Sequence, residues 1–198
     1  MNRLTDPKFA DFIKKLPVQD HAVAITSKKL LRLLPAASSL SRSYLLGQAP
    51  SKNLLTEIIS WGYPADKRGT ATRILEPSIL AKMNSAMCAG VWASWGDFFS
   101  KFGKGKSVPY VGVVTATKIA YFYKVNLQGF DGLILDGRII NAKNYWHELA
   151  HLKFLGSNNF NDKQYVAYLD VMHTTAAKIG CTADQLEFFL FVFGASFG

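Results

Sequence analysis

An all-α fold is predicted by three features of the chain. Helix start and stop signals recur along nearly its whole length, period-two alternation is confined to HAVAIT and GLILD, and 49% of the 198 residues are hydrophobic, enough to bury a full core in one domain spanning 1–198. Asp6-Pro7 caps and starts a first helix that runs through Lys14. Ser51 precedes KNLLTEIISW, which Gly62 stops. Pro77 opens a long apolar stretch, SILAKMNSAMCAGVWASWGDFFSKF, with a bend expected near Gly90 or Gly96. Pro109-Tyr110-Val111-Gly112 reads as a hairpin ahead of the helix TATKIAYFY, and a further helix starts at about Arg138. Asn161-Asp162 leads into KQYVAYLDVMHTTAAKI, where Val166, Leu169, Met172, His173 and Ala176 recur at helical spacing up to Gly180. Thr182 and Gln185 form a capping box for the last helix. Loops are expected around 35–50, 62–76, 103–107 and 156–162, with AASSLSRS as a link.

Lys and Arg number 23 against 14 acids, a net charge of +9 that favours a polyanionic partner without specifying one. Cys88 and Cys181 lie far apart in apolar surroundings, which fits reduced thiols better than a disulfide framework. No run approaches the ~20 apolar residues of a membrane span, and no signal peptide is evident, so a cytoplasmic protein without membrane contact is expected.

The chemistry concentrates between Val108 and Ile140. A glycine in a hairpin lets backbone N–H groups approach a phosphate, and the following helix adds the positive end of its dipole to the same anion. Such a hairpin grips a nucleic-acid backbone without reading its sequence. Downstream, Leu133-Ile134-Leu135 delivers Asp136 ahead of Gly137-Arg138. Hydrolysis of an N-glycosidic bond needs a carboxylate of this kind, to stabilise positive charge developing on the sugar. Asp136 also suits a helix N-cap, worth about 1 kcal/mol, and capping does not exclude catalysis.

The run Pro109-Tyr110-Val111-Gly112-Val113-Val114-Thr115-Ala116, followed by Leu135-Asp136-Gly137-Arg138, resembles the helix-hairpin-helix DNA glycosylases, and most of all small bacterial proteins of the oxidised-guanine glycosylase fold. The resemblance implies two helical lobes with a cleft between them. It also implies a monomer acting on double-stranded DNA without a cofactor, excising an oxidised purine or a modified base in phage DNA. Asp136 takes the place of the catalytic carboxylate. Bifunctional members carry a Schiff-base lysine two residues after the second hairpin glycine, a place that here holds Val114. A second register, aligning Thr117-Lys118-Ile119-Ala120 with the family's T-K-V-A, makes Lys118 the nucleophile and abasic-site lyase residue, 18 positions before Asp136, but loses the hairpin glycines. Both registers stay open on the sequence. Expected DNA contacts are Gly112, Val113, Thr115, Lys104, Lys106 and Arg138. Trp61, Phe189 and Phe193 are candidates for a base pocket. Many relatives hold an iron–sulfur cluster on four cysteines, which two cysteines cannot do.

Two rival readings stand beside this one. His147-Glu148-Leu149-Ala150-His151 is a literal H-E-x-x-H, in which two histidines one helical turn apart bind zinc and the glutamate acts as general base, with Glu187 or Asp170 as a distant acid. The structural alternative for that segment is an amphipathic helix with Leu149, Leu152 and Leu155 inward. The hairpin and the charge also suit a DNA-binding module without catalysis. Gly105-Lys106-Ser107 fails as a phosphate loop, because Ser100 stands where the first glycine is required and no strand precedes it.

Overall fold

The computed structural model describes residues 2–34, 38–103, 105–156, 159–194 and 196. The fold is helix-rich. In chain order it runs α1 (Pro7–Lys14), β1 (Ala22–Ala24), α2 (Lys28–Leu31), β2 (Ser39–Ser41), α3 (Arg42–Leu46), α4 (Lys52–Gly62), α5 (Thr70–Ile74) and α6 (Pro77–Ala89). It continues through α7 (Trp95–Ser100), α8 (Val113–Phe122), β3 (Asn126–Leu127), β4 (Phe130–Asp131), α9 (Gly137–Ala142), α10 (Asp162–Ile179) and α11 (Ala183–Phe193). The strands form two small antiparallel ladders, β1 with β2 and β3 with β4.

Local chemistry sets most boundaries. Asp6 accepts from the Lys8 amide and Ser51 from the Leu54 amide, so α1 and α4 start where their caps satisfy free N–H groups. Reciprocal capping boxes open α10 at Asn161/Gln164 and α11 at Thr182/Gln185. The long apolar stretch after Pro77 is two helices. Gly90 takes a left-handed φ of 57° and ends α6, and Ser94 then caps α7 through the Asp97 amide. Gly96 lies in the first turn of α7, where a Cβ would stand 2.8 Å from an Asp162 carboxylate oxygen, so its bareness lets α7 dock on the start of α10.

Two expected loops contain structure. The segment 35–50 holds β2 and α3, because alternating HAVAIT finds an antiparallel partner in Ser39–Ser41. The segment 62–76 holds α5, with the Asp66 carboxylate accepting from the Ala71 and Thr72 amides.

The core joins two aromatic groups. Trp95, Phe98, Phe99, Phe160 and Tyr165 pack edge-to-face or stacked between α7 and α10. Phe9, Phe12, Trp146, Phe189 and Phe193 do the same between α1 and α11. Between them runs the extended segment Leu133-Ile134-Leu135, which is at most 2% exposed. It is not a strand. Its peptide groups are instead met by hydroxyls: Tyr165 donates to the Leu133 carbonyl at 2.6 Å, Tyr168 donates to the Ile134 carbonyl at 2.9 Å, and the Leu135 N–H donates to Thr117 at 3.2 Å. These bonds satisfy a buried backbone that no ladder serves. Among the described residues no helix is long and apolar enough to cross a membrane.

Candidate active site

The turn before α8 is anchored by Val108 and Val111, both fully buried, while Tyr110 at its tip is 55% exposed with φ +67°. The Arg73 guanidinium lies 5.4 Å from the Tyr110 ring centre. Gly112 occupies the N-cap of α8 and has no side chain to cap with, so the first amides of the helix keep no side-chain acceptor; its surroundings are open. An anion is the natural acceptor for such a helix start.

Two turns into α8, Lys118 turns inward. It shares a cavity of about 400 Å³ with Asp136, together with His21, Arg42, Trp61 and Phe191. Its place depends on Gly62, where a Cβ would stand 3.2 Å from Lys118 Cδ and 3.4 Å from Nζ. The ammonium lies 5.6 Å from the Tyr63 ring centre, and among the described residues it has no hydrogen bond or ion pair. Desolvation lowers its pKa, with Arg42 and Arg138 adding to the effect and Asp136 and Glu187 opposing it. The free amine, the nucleophilic form, is therefore reached at lower pH than in an exposed lysine.

Asp136 caps α9 by accepting from the Arg138 and Ile139 amides with one oxygen, Oδ1, at 2.9 and 3.3 Å. Oδ2 takes neither bond. Beside it the Arg138 guanidinium stacks 4.7 Å from the centre of the Phe191 ring, which gives the cavity an aromatic face with a cation over it.

Below the cavity lies a buried charge cluster. Arg42 and Glu187 are both fully buried and paired through two bonds of 2.9 and 3.2 Å, and Asp184 adds a third at 3.1 Å. The rings of Trp61, Tyr121 and Phe188 surround the guanidinium at 5.6, 5.2 and 5.3 Å. Burial pushes the Glu187 carboxyl up to about 7 against the pull of Arg42, and Tyr121 is raised likewise, chiefly by burial. Desolvation lowers the pKa of His21, with help from Arg42 and Arg138, so its imidazole is neutral at pH 7.

A model of the family described as "Putative 8-oxoguanine DNA glycosylase OGG-like protein" matches residues 17–191, a span that holds every residue of this cavity. The chain belongs to that family. Neither the curated proteins nor the solved structures yield a match to it.

Of the residues expected to serve an OGG-like site, Asp136, Lys118, Arg138 and Trp61 line one cavity. Gly112 is exposed at the start of α8, Val113 is half-buried beside it, and Lys106 is exposed in the preceding loop. Lys104 lies outside the described residues. Three expected contacts are corrected. Thr115 is 2% exposed and its hydroxyl bonds Tyr63 Oη at 2.6 Å, so it is not on a DNA-facing surface. Phe189 is fully buried against Phe9, Phe12 and Trp146, and Phe193 packs on Phe12, which puts both on the face of α11 away from the cavity. Phe191 is the α11 aromatic that lines the cavity, and Phe188, one turn before it, packs behind on Arg42 and His21.

The HELAH segment does not adopt zinc-site geometry. Residues His147–Phe154 form a 3-10 helix with non-helical backbone at Leu152, and His147, Glu148 and His151 border one surface depression together with Asp170. The Glu148 carboxylate accepts from the Leu4 and Thr5 amides and the Thr5 hydroxyl at 2.9, 3.2 and 3.0 Å, which ties down the N-terminal segment. Glu187, the other acid considered for zinc, belongs to Arg42. Among the described residues no group of three or more His, Cys, Asp or Glu side chains is arranged to hold a metal.

His21, Arg42 and Phe191 are among the cavity residues that sequence reasoning missed. Arg42 carries no local signal, since its acidic partners lie 142 and 145 positions away. A signal for His21 existed in its place at the head of the alternating HAVAIT.

Proposed function

We propose that this protein is a DNA glycosylase that receives one flipped, damaged or modified base in the cavity shared by Lys118 and Asp136. That convergence carries the reading. A lysine whose ammonium is disfavoured by desolvation and a carboxylate with one oxygen unbonded meet in a space roomy enough for a nucleobase, under an aromatic face. The fold is read as the family's two-lobed helix-hairpin-helix arrangement, acting as a monomer on double-stranded DNA. The hairpin Pro109–Gly112, the amides of Val113 and its neighbours, and Lys106 grip the phosphate backbone, while Arg138 closes on the flipped nucleotide.

In this mechanism Lys118 Nζ attacks C1′ of the sugar as the glycosidic bond breaks. The bond's electron pair leaves with the base, which takes up the proton that Nζ gives up once its bond to C1′ has formed. Asp136 Oδ2 faces the positive charge that develops on the sugar. Opening of the sugar ring leaves a Schiff base on Lys118, from which loss of a C2′ proton expels the 3′-phosphate, an abasic-site lyase step. Extrusion of the nucleotide costs a few kcal/mol and is easiest for a mispaired or damaged base, so the open substrates are oxidised purines and the modified bases of phage DNA.

The test is to incubate the protein with duplexes bearing oxidised, deaminated, alkylated or glucosylated bases, and to identify freed bases by mass spectrometry. Asp136→Asn runs alongside, with borohydride trapping of wild type and Lys118→Gln. Release of one base that Asp136→Asn abolishes, with a covalent adduct that Lys118→Gln loses, is the expected result. DNA binding without release from any duplex would leave a binding module.

A further inference from the structure

The stretch from Ile58 to Leu75, which joins the end of α4 to α5, carries Lys67, Arg68 and Arg73 against one carboxylate, Asp66. That carboxylate is turned inward. It accepts from the Ala71 and Thr72 amides at 2.8 and 3.2 Å and from the Thr72 hydroxyl. Lys67 and Arg68 are left exposed, and neither forms an ion pair among the described residues. Both line a depression of about 390 Å³ whose wall also includes Tyr63 and Pro64.

The place of this depression follows from what it adjoins. Pro64 is shared, since it also lines the cavity of Lys118 and Asp136. Tyr63 links the two, with its ring centre 5.6 Å from the Lys118 ammonium and its hydroxyl bonded to Thr115 of α8 at 2.6 Å. At the far end of the stretch Arg73 lies over Tyr110, two residues before the open start of α8 at Gly112. The cations thus stand on the surface that joins the cavity to the helix start. The loop is also held in shape. The Pro64 carbonyl accepts from the Thr26 and Ser27 amides at 3.0 Å each, and two turns follow, closed by the Asp66 amide on the Tyr63 carbonyl and the Gly69 amide on the Asp66 carbonyl, also at 3.0 Å. A loop fixed in this way loses little freedom when it takes a ligand. An ammonium and a guanidinium side by side offer only N–H donors and positive charge, which is the chemistry of phosphate recognition.

We propose that Lys67 and Arg68 seat a backbone phosphate of the DNA strand, one of the two that flank the extruded nucleotide. This inference rests on the glycosylase reading and adds to it an anchor on the α4–α5 side of the cavity, separate from the one at the start of α8. A base enters the cavity with its own backbone at the rim, and the shared wall at Pro64 brings that backbone beside the two cations. Held there, the phosphate fixes the sugar over Lys118 and Asp136, so Lys67 and Arg68 are positioning residues.

The test uses the full chain and a duplex with a tetrahydrofuran abasic-site analogue, which has no base to lose and so reads binding alone. Fluorescence anisotropy gives the affinity from about 50 to about 200 mM salt for wild type, Lys67→Gln, Arg68→Gln, their double variant and Arg68→Lys. Lys8→Gln on α1, which packs on the face of α11 away from the cavity, is the control, and circular dichroism melting checks the fold. Each phosphate contact contributes about −0.9 to the slope of log affinity against log salt, so the double variant is expected to lose about 1.8 of the wild-type slope. Over that range wild-type affinity then falls about tenfold further than the variant's. Arg68→Lys should keep the slope, and Lys8→Gln should match wild type. Replacing strand phosphates one at a time by neutral methylphosphonate should weaken wild type at a phosphate flanking the analogue, and the double variant should not respond to that replacement. An unchanged slope, or a response lost only at phosphates farther along the strand, overturns the proposal. Base release from damaged duplexes is scored separately. No release with the slope change intact ends the glycosylase reading and leaves the phosphate seat; release with an unchanged slope ends the seat alone; a duplex that is not bound at all ends both.

Discussion

The Leu135 N–H donates to the Thr117 hydroxyl at 3.2 Å, and each of these residues immediately precedes one of the two groups that meet in the cavity, Asp136 and Lys118. The same hydroxyl donates back to the Val114 carbonyl within α8 at 2.8 Å, so one side chain ties the extended segment to the helix. Thr117→Val keeps the shape and strands the buried Leu135 N–H. A destabilisation of about 1–3 kcal/mol is expected. Base release should fall further than stability explains, since the spacing of the two groups loosens; Thr117→Ser should restore both. Denaturant unfolding and single-turnover base release on the same preparations check this.

Gly62 separates stability from activity. An alanine there places its Cβ 3.2 Å from Lys118 Cδ, and the lysine tail is the part that can shift. Gly62 ends α4 at an ordinary negative φ, so Gly62→Ala should leave stability unchanged or raise it by up to about 1 kcal/mol. Borohydride trapping should nevertheless drop, because the amine is displaced from its place beside Tyr63. Equal trapping in variant and wild type would show that the Lys118 position is not set by this contact.

The lowered pKa of Lys118 fixes the sign of a pH dependence. Desolvation, Arg42 and Arg138 favour the neutral amine, so trapping should rise with pH and level off below the range of an ordinary lysine. Arg138→Gln removes one cation and should move the midpoint upward; Asp136→Asn, trapped on a duplex with a preformed abasic site so that no base need leave, removes an anion and should move it downward. The folded protein releases this proton at lower pH than the unfolded chain does, so the group adds stability as pH rises between the two values. A trapping profile that Arg138→Gln leaves in place, measured at fixed ionic strength, would argue against the electrostatic coupling.

How far the sequence reached follows from the range of the forces involved. The starts of α1, α4, α10 and α11 are legible because a cap acts within three residues of itself. Asp136 and Lys118 are found together in the sequence because 18 positions of one motif carry both. The choice among Phe188, Phe189, Phe191 and Phe193 is not legible, since LEFFLFVF is apolar on every side and only the docking of α1 decides which side is core. HELAH misleads because the letters do not specify the helix type or the partners, and its glutamate is bonded to the Leu4 and Thr5 amides at the far end of the chain. The Arg42 cluster is invisible for the plainest reason: its members come from opposite ends of the chain.

That cluster yields the last expectation. Removing one member of a buried ion pair strands the other, so Glu187→Gln should cost about 3–5 kcal/mol, tempered by the remaining bond from Arg42 to Asp184. Its pH dependence has a definite sign. The carboxyl ionises at about 7 in the folded protein and at about 4.3 in the unfolded chain, so across that window the unfolded chain holds fewer protons and stability falls as pH rises. Glu187→Gln should flatten this slope, with Asp184, also raised by burial, supplying what remains. The double variant Arg42→Met, Glu187→Leu replaces the pair with apolar side chains of similar volume and should recover much of the lost stability. It should not recover base release, because the cation that lines the cavity and favours the neutral Lys118 amine is gone. Stability regained with activity regained would mean that the pair holds the core together and does nothing for the cavity above it.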